Sequence, residues 1–138
     1  MKMKTEIKDL MKTIEKISMR FFRVNFRQRQ FWDRSKKKWK RRKNNPKTGR
    51  PPDHPPLEDT KHLFKSFTST IKGYQINIKN TAKYAGFHND GVQGLLPQRQ
   101  FLGHSEELED RQVKIIDKFL DKKFQELVDD FLDDFEGR

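Results

Sequence analysis

Five of the six prolines, Pro46, Pro51, Pro52, Pro55 and Pro56, fall between positions 46 and 56. Proline fixes φ and lacks an amide donor, so neither a helix nor an interior strand passes through such a stretch. Regular structure is expected to fail from about Asn44 to Pro56. The charge pattern divides the chain at the same place. Residues 1–52 carry 19 Lys or Arg against 4 acids, a net +15; residues 53–103 carry 6 against 4; residues 104–138 carry 6 against 12, a net −6. The overall +11 therefore sits in one segment of this 138-residue chain. The remainder has enough Phe, Leu and Ile for a small core, and one domain spanning 1–138 with a charged extension is expected.

Before the proline cluster, Ile7, Leu10, Met11, Ile14, Ile17, Phe21 and Val24 recur at intervals of three and four with no Gly or Pro between them. This periodicity predicts an amphipathic helix over 1–26, with Phe22 and Phe26 widening its apolar stripe. Residues 27–59 read as a long, exposed, basic and Pro-rich loop. Within 60–103, Thr60 caps a short helical turn through Leu63 and Phe64. Phe67 and Ile71 then suggest a strand, Lys72 and Gly73 a turn, and Tyr74, Ile76 and Ile78 a second strand with one buried face. A short helix is expected from Thr81 to His88, a turn at Asn89–Gly91, and a further strand at Phe101–Leu102. In 104–136, Ser105 caps a helix whose first turns hold Glu106, Glu107, Glu109 and Asp110, carboxylates that favour the positive end of the dipole. Its apolar positions, Val113, Ile116, Leu120, Phe124, Leu127, Val128, Phe131 and Phe135, continue that helix at helical spacing almost to the end. The expected class is α+β: a small antiparallel sheet flanked by two long helices, with a long basic loop.

The side chains point away from catalysis. His54, His62, His88 and His104 are scattered, and no second imidazole or thiol stands at metal-ligand spacing. There is no Gly-rich phosphate loop and no serine elbow. No cofactor or metal is expected; a hydrolase centred on His88 and Asp90 is the enzymatic alternative. The chain contains no cysteine, which suits a reducing compartment. No apolar run approaches the roughly 18 residues of a membrane span, and no signal-peptide-like block opens the sequence. A soluble intracellular product without a membrane partner is expected.

Two charged features remain. Trp32, Lys36, Lys37, Lys38, Trp39, Lys40, Arg41, Arg42 and Lys43 combine cations with indoles, the combination that neutralises phosphates and stacks on bases. The same residues are equally compatible with a solvated basic loop whose indoles tuck against the domain. At the other end, Asp129, Asp130, Asp133 and Asp134 oppose the macrodipole of their own helix, so they do not stabilise it. They serve either solubility or contact with the basic loop of a neighbouring copy, a head-to-tail arrangement that can close into a ring.

The segment Tyr84-Ala85-Gly86-Phe87-His88-Asn89-Asp90-Gly91, followed by Leu96-Pro97-Gln98-Arg99-Gln100-Phe101-Leu102-Gly103-His104-Ser105, resembles the phage virion morphogenesis family, the Mu-like tail-completion proteins. Members of that family carry Tyr-Ala-x-x-His-Asn-x-Gly ahead of Pro-x-Arg-Pro-Phe-Leu-Gly. Upstream, Leu57, Thr60, Leu63 and Ser66 are similar to the family's Leu-x-x-Thr-Gly-x-Leu-x-x-Ser stretch, and Phe21, Phe22, Asn25, Phe26, Trp39 and Arg42 fit the version found in some relatives. Lys61 stands where the family commonly has Gly, and Gln100 where it commonly has Pro. The resemblance implies a non-enzymatic structural protein of the neck or head-proximal tail end, located in the virion and in the host cytoplasm during assembly. It would complete the tail and support head–tail joining as a ring, commonly hexameric, around the DNA channel, against neck, connector or tail-tube proteins. It also implies architectural roles for Tyr84, Ala85, His88, Asn89, Gly91, Pro97, Arg99, Phe101, Leu102 and Gly103. His88 and Asn89 would fasten a turn, Gly91 would permit its geometry, and Arg99 would pair with a carboxylate. The alternative function is a basic nucleic-acid-binding accessory protein using Lys36–Lys43 and the two tryptophans.

Overall fold

A computed structural model describes residues 2–40 and 61–137. Helix α1 spans Lys2–Arg27, as its periodicity predicts. It stops where Arg29 adopts a left-handed backbone (φ 56°), with its amide bonded to the Phe26 carbonyl at 3.2 Å. Left-handed geometry costs a residue with a Cβ about 1–2 kcal/mol, and here it reverses the chain.

The reversal leads into strands β1 (Gln30–Trp32) and β2 (Lys36–Lys38), antiparallel with Gln30 opposite Lys38 and Trp32 opposite Lys36. The start of the expected basic loop is therefore a hairpin. Three consecutive lysines carry no strand signal. What sets β2 is its flank: Phe31 and Trp39 are both buried, and the Trp39 amide donates to the Arg29 carbonyl at 2.8 Å. The Asn44–Pro56 stretch, Thr60, and Arg41, Arg42 and Lys43 lie outside the described residues.

Helix α2 covers Lys61–Lys65 and places Leu63, fully buried, and Phe64 toward α1. Strands β3 (Phe67–Lys72) and β4 (Gln75–Asn80) then form the second antiparallel hairpin, with Lys72 opposite Gln75. Its turn is Gly73–Tyr74, one residue later than the sequence suggests. Gly73 has φ 62°, which suits the first position of a two-residue hairpin turn. Tyr74 is thus 85% exposed instead of belonging to the strand, while Ile76 and Ile78 keep the alternation and are half-buried.

Helix α3 is Ala85–Asp90, and Val92 bridges Leu96 in the loop that follows. Phe101 and Leu102 are in irregular backbone, not a strand. Helix α4 is Glu106–Glu136, 31 residues, capped as expected by Ser105, whose Oγ accepts from the Leu108 amide at 3.1 Å. The class is α+β, with two separate two-stranded sheets.

The core centres on Phe26. Its ring meets those of Trp39 at 5.3 Å, Phe64 at 5.7 Å, Phe67 at 6.0 Å and Phe101 at 5.7 Å, mostly edge to face. These are the offsets that aromatic quadrupoles favour. α1 and α4 run antiparallel. Gln112 Nε2 donates to the buried Ser18 Oγ at 2.9 Å, and near the far end the Lys123 ammonium pairs with Glu6 and with Glu126. Those hydrogen bonds raise the Lys123 pKa, and the bond to Lys123 lowers that of Glu126.

The apolar stripe of α4 is not the face by which the helix packs. Within α4 only Leu108 is buried, whereas Leu120, Phe124, Leu127, Phe131 and Phe135 are all more than half exposed. The helix turns Leu108, Gln112, Ile115 and Phe119 inward, with the predicted stripe roughly 100° away around the axis. No described helix is long and apolar enough to cross a membrane.

Phe101 is 0% exposed. Phe101→Ala should lower the unfolding free energy by about 3–5 kcal/mol through lost transfer energy and a residual cavity, read from a urea unfolding curve.

Candidate functional site

The motif from Tyr84 to Gly103 folds into a clasp. The Asn89 side chain, at the end of α3, accepts through Oδ1 from the amides of Phe101 and Leu102, both at 2.9 Å. One carboxamide thereby satisfies two donors that a strand partner would otherwise take. The Arg99 amide donates to the His88 carbonyl at 2.9 Å, so α3 holds the returning loop at a second point. Gly91 has φ 76°, and a Cβ there would stand 2.8 Å from the Gln98 nitrogen and 3.0 Å from its Cα. The loop can lie this close to α3 only because Gly91 has no side chain.

The clasp carries Phe101 into the aromatic core and leaves Leu102 half-buried beside it. Ala85 is buried beneath α3, and Tyr84 packs edge-on to His88 with centroids 5.8 Å apart. Arg99 is itself buried and donates from Nε to the Lys40 carbonyl at 3.2 Å, while the Gln100 carbonyl accepts from Trp39 Nε1 at 2.8 Å. Both bonds lock the loop to the chain leaving β2. The fastening expected of His88 comes from its backbone. Its ring Nδ1 is enclosed without a hydrogen-bond partner among the described residues, and burial, helped by the nearby Arg99 charge, lowers its pKa. Asp90 accepts from Asn89 Nδ2 at 3.4 Å.

The basic hairpin separates its cations from its indoles. Lys36, Lys37, Lys38 and Lys40 are exposed. Trp39 is 8% exposed and belongs to the core, which removes it as a stacking platform. Trp32 is half-buried, with Lys36 Nζ 4.4 Å and Arg111 Cζ 4.8 Å from its ring centroid. These cation–π contacts occupy the indole from within the chain. Of the two readings open from sequence, the indoles follow the tucked one.

The hairpin is pinned to the start of α4, a connection that sequence reasoning missed. Asp33 Oδ1 accepts from the Glu106 amide at 2.8 Å, and the Asp33 carbonyl from the Glu107 amide at 3.2 Å. Ser105 Oγ donates to the Trp32 carbonyl at 2.5 Å. Arg34 Nε pairs with Glu106 at 2.5 Å; that hydrogen bond lowers the Glu106 pKa and raises that of Arg34. These partners lie 72 to 74 residues apart, so no local spacing could reveal them. Also unforeseen is a shallow groove of about 470 Å³ between α1 and Ser69, lined by Lys16, Arg20, Arg23 and Arg27 with Glu15. The four cations repeat at helical spacing, which was the available signal.

Asp129, Asp130, Asp133 and Asp134 are exposed on the last turns of α4, with Gln125 Nε2 donating to Asp129 at 2.9 Å. The hairpin sits at the other end of that helix, about 45 Å away along a 31-residue rod. Basic hairpin and acidic end can therefore meet only between copies. Among the described residues no group of three or more His, Asp or Glu converges as a metal site. Comparison with family profiles, with curated proteins and with solved structures gives no match.

Two outcomes test the clasp. Asn89→Ala leaves the Phe101 and Leu102 amides without their acceptor and should cost about 1–3 kcal/mol in urea unfolding. Because His88 binds its proton less readily folded than unfolded, the unfolded chain takes up that proton first as pH falls below the ordinary histidine range near 6.5. Stability should therefore drop between pH 7 and pH 5. Part of that slope should vanish in His88→Gln.

Proposed function

We propose that this chain is a non-enzymatic structural component of a tailed phage particle. It would complete the tail at the neck or head-proximal end and support head–tail joining as a ring of copies. The observation that carries the proposal is the clasp. The motif that resembles the tail-completion family spends Asn89, Gly91, Arg99 and Phe101 on holding one loop against the core. These are architectural uses, although Arg99 donates to the Lys40 carbonyl where the resemblance implies a carboxylate. The separation of basic hairpin and acidic helix end also favours contacts between copies, since a head-to-tail contact brings unlike charges together. Neck, connector or tail-tube proteins would be its neighbours in the virion, with assembly in the host cytoplasm.

A second reading rests on the exposed row Lys36, Lys37 and Lys38 together with Lys40. These cations suit phosphates. With Trp39 buried and Trp32 engaged by Lys36 and Arg111, such binding would be electrostatic and indifferent to sequence.

Electron microscopy of particles made without this polypeptide tests the first reading. Filled heads and detached or irregular tails are expected; normal particles with tails attached would overturn it. A salt titration of duplex DNA binding separates the second. That reading requires affinity falling steeply with salt, with a shallower slope after Lys36, Lys37 and Lys38 are replaced by Gln.

A further inference from the structure

The apolar stripe on α4 has a spacing of its own. Val113, Ile116, Leu120, Phe124, Leu127, Phe131 and Phe135 follow one another by three, four, four, three, four and four residues. That is an eleven-residue repeat, which keeps a seam on one side of a nearly straight helix and pairs helices with little or right-handed supercoil. All seven are exposed, from 37% at Ile116 to 70% at Phe135. Three phenylalanines and four aliphatics exposed to this extent present on the order of 800 Å². Monomers seldom leave so large a contiguous apolar patch in water, and it matches one side of a stable interface, about 800 Å² per partner.

We infer that this stripe is a self-association surface and that its occupant is α4 of a second copy, packed antiparallel. The stripe is nearly symmetric about Phe124. An antiparallel partner with its dyad there sets Phe124 beside its own counterpart, Leu120 beside Leu127, Ile116 beside Phe131 and Val113 beside Phe135. Charge selects the direction. The turns on the amino-terminal side of the dyad expose Lys114, Lys118 and Lys122 together with Glu109, Asp110, Asp117 and Asp121, a near balance, whereas those on the other side expose Asp129, Asp130, Asp133, Asp134 and Glu136 with no cation among the described residues there. Antiparallel packing lays the acidic turns of each copy along the near-balanced turns of the other. It also brings each acidic end to the region of Arg111 and the basic hairpin. Parallel packing would align the two acidic ends, with like charges along the last turns. The contact is isologous, so it closes at two copies. It does not rest on the tail-completion reading, and its test concerns the free protein.

The full-length protein should sediment as a dimer at micromolar concentration. Leu120→Glu with Phe131→Glu should sediment as a monomer with its helical circular dichroism retained, because neither side chain supports the core of its own copy. A protein that is monomeric throughout overturns the inference. Orientation is read by single cysteines, which are clean probes because the chain has none. With a short bismaleimide, Phe124→Cys should link to itself. Phe135→Cys alone should not, since its two copies would lie about 33 Å apart, but mixed with Val113→Cys it should give a heterodimeric cross-link. Self-linking of Phe135→Cys, or a trimer or other odd-numbered assembly, overturns the antiparallel pair.

Discussion

Phe26 is where the parts of this fold meet. It comes from the last turn of α1, and around it close Trp39 from beyond β2, Phe64 from α2, Phe67 from β3 and Phe101 from the loop behind α3. Two short hairpins and two helices of five or six residues have little stability on their own. Each contributes one ring to a shared apolar centre, so none of the short elements has to persist alone. The irregular loop bearing Phe101 belongs to that centre only because Asn89 takes its backbone donors and Trp39 takes the Gln100 carbonyl. Polar groups here make aromatic burial affordable in a segment with no strand partner.

Outside this centre the molecule is organised by charge and by one uncovered face. The hairpin stands at the start of α4, held by Asp33, Ser105 and the Arg34–Glu106 pair. The carboxylates stand at its far end, with the apolar stripe between. The core lies at one end of this long polarised helix, and the apolar stripe of α4 is left uncovered from within.

What was legible in the sequence follows from how local each determinant is. α1, the cap at Ser105 and the alternation in β4 rest on residues within a few positions of one another, and they are found where the periodicities put them. The β1–β2 hairpin was illegible because Lys36, Lys37 and Lys38 have no strand preference; the buried Phe31 across the ladder and the buried Trp39 that follows hold them in line. The strand expected at Phe101–Leu102 fails for a related reason: its amides bond to a side chain, and apolar content alone does not distinguish that from a sheet. The family-like motif was legible as residues, while the closeness of Gly91 to Gln98 and the pairing of Asn89 with two amides needed the fold.

The amino-acid sequence by itself determined the α+β class, the two long helices, the second hairpin and the separation of charge, because helix and strand periodicities and net charge are properties of neighbouring residues. Tertiary structure alone decided which faces are covered. Trp39 became core because Phe26 and the Gln100 carbonyl receive it, and the α4 stripe stayed in water because α4 turns Leu108, Gln112, Ile115 and Phe119 inward instead. An amphipathic pattern records that a face is apolar; what lies against it depends on where the rest of the chain has room to pack.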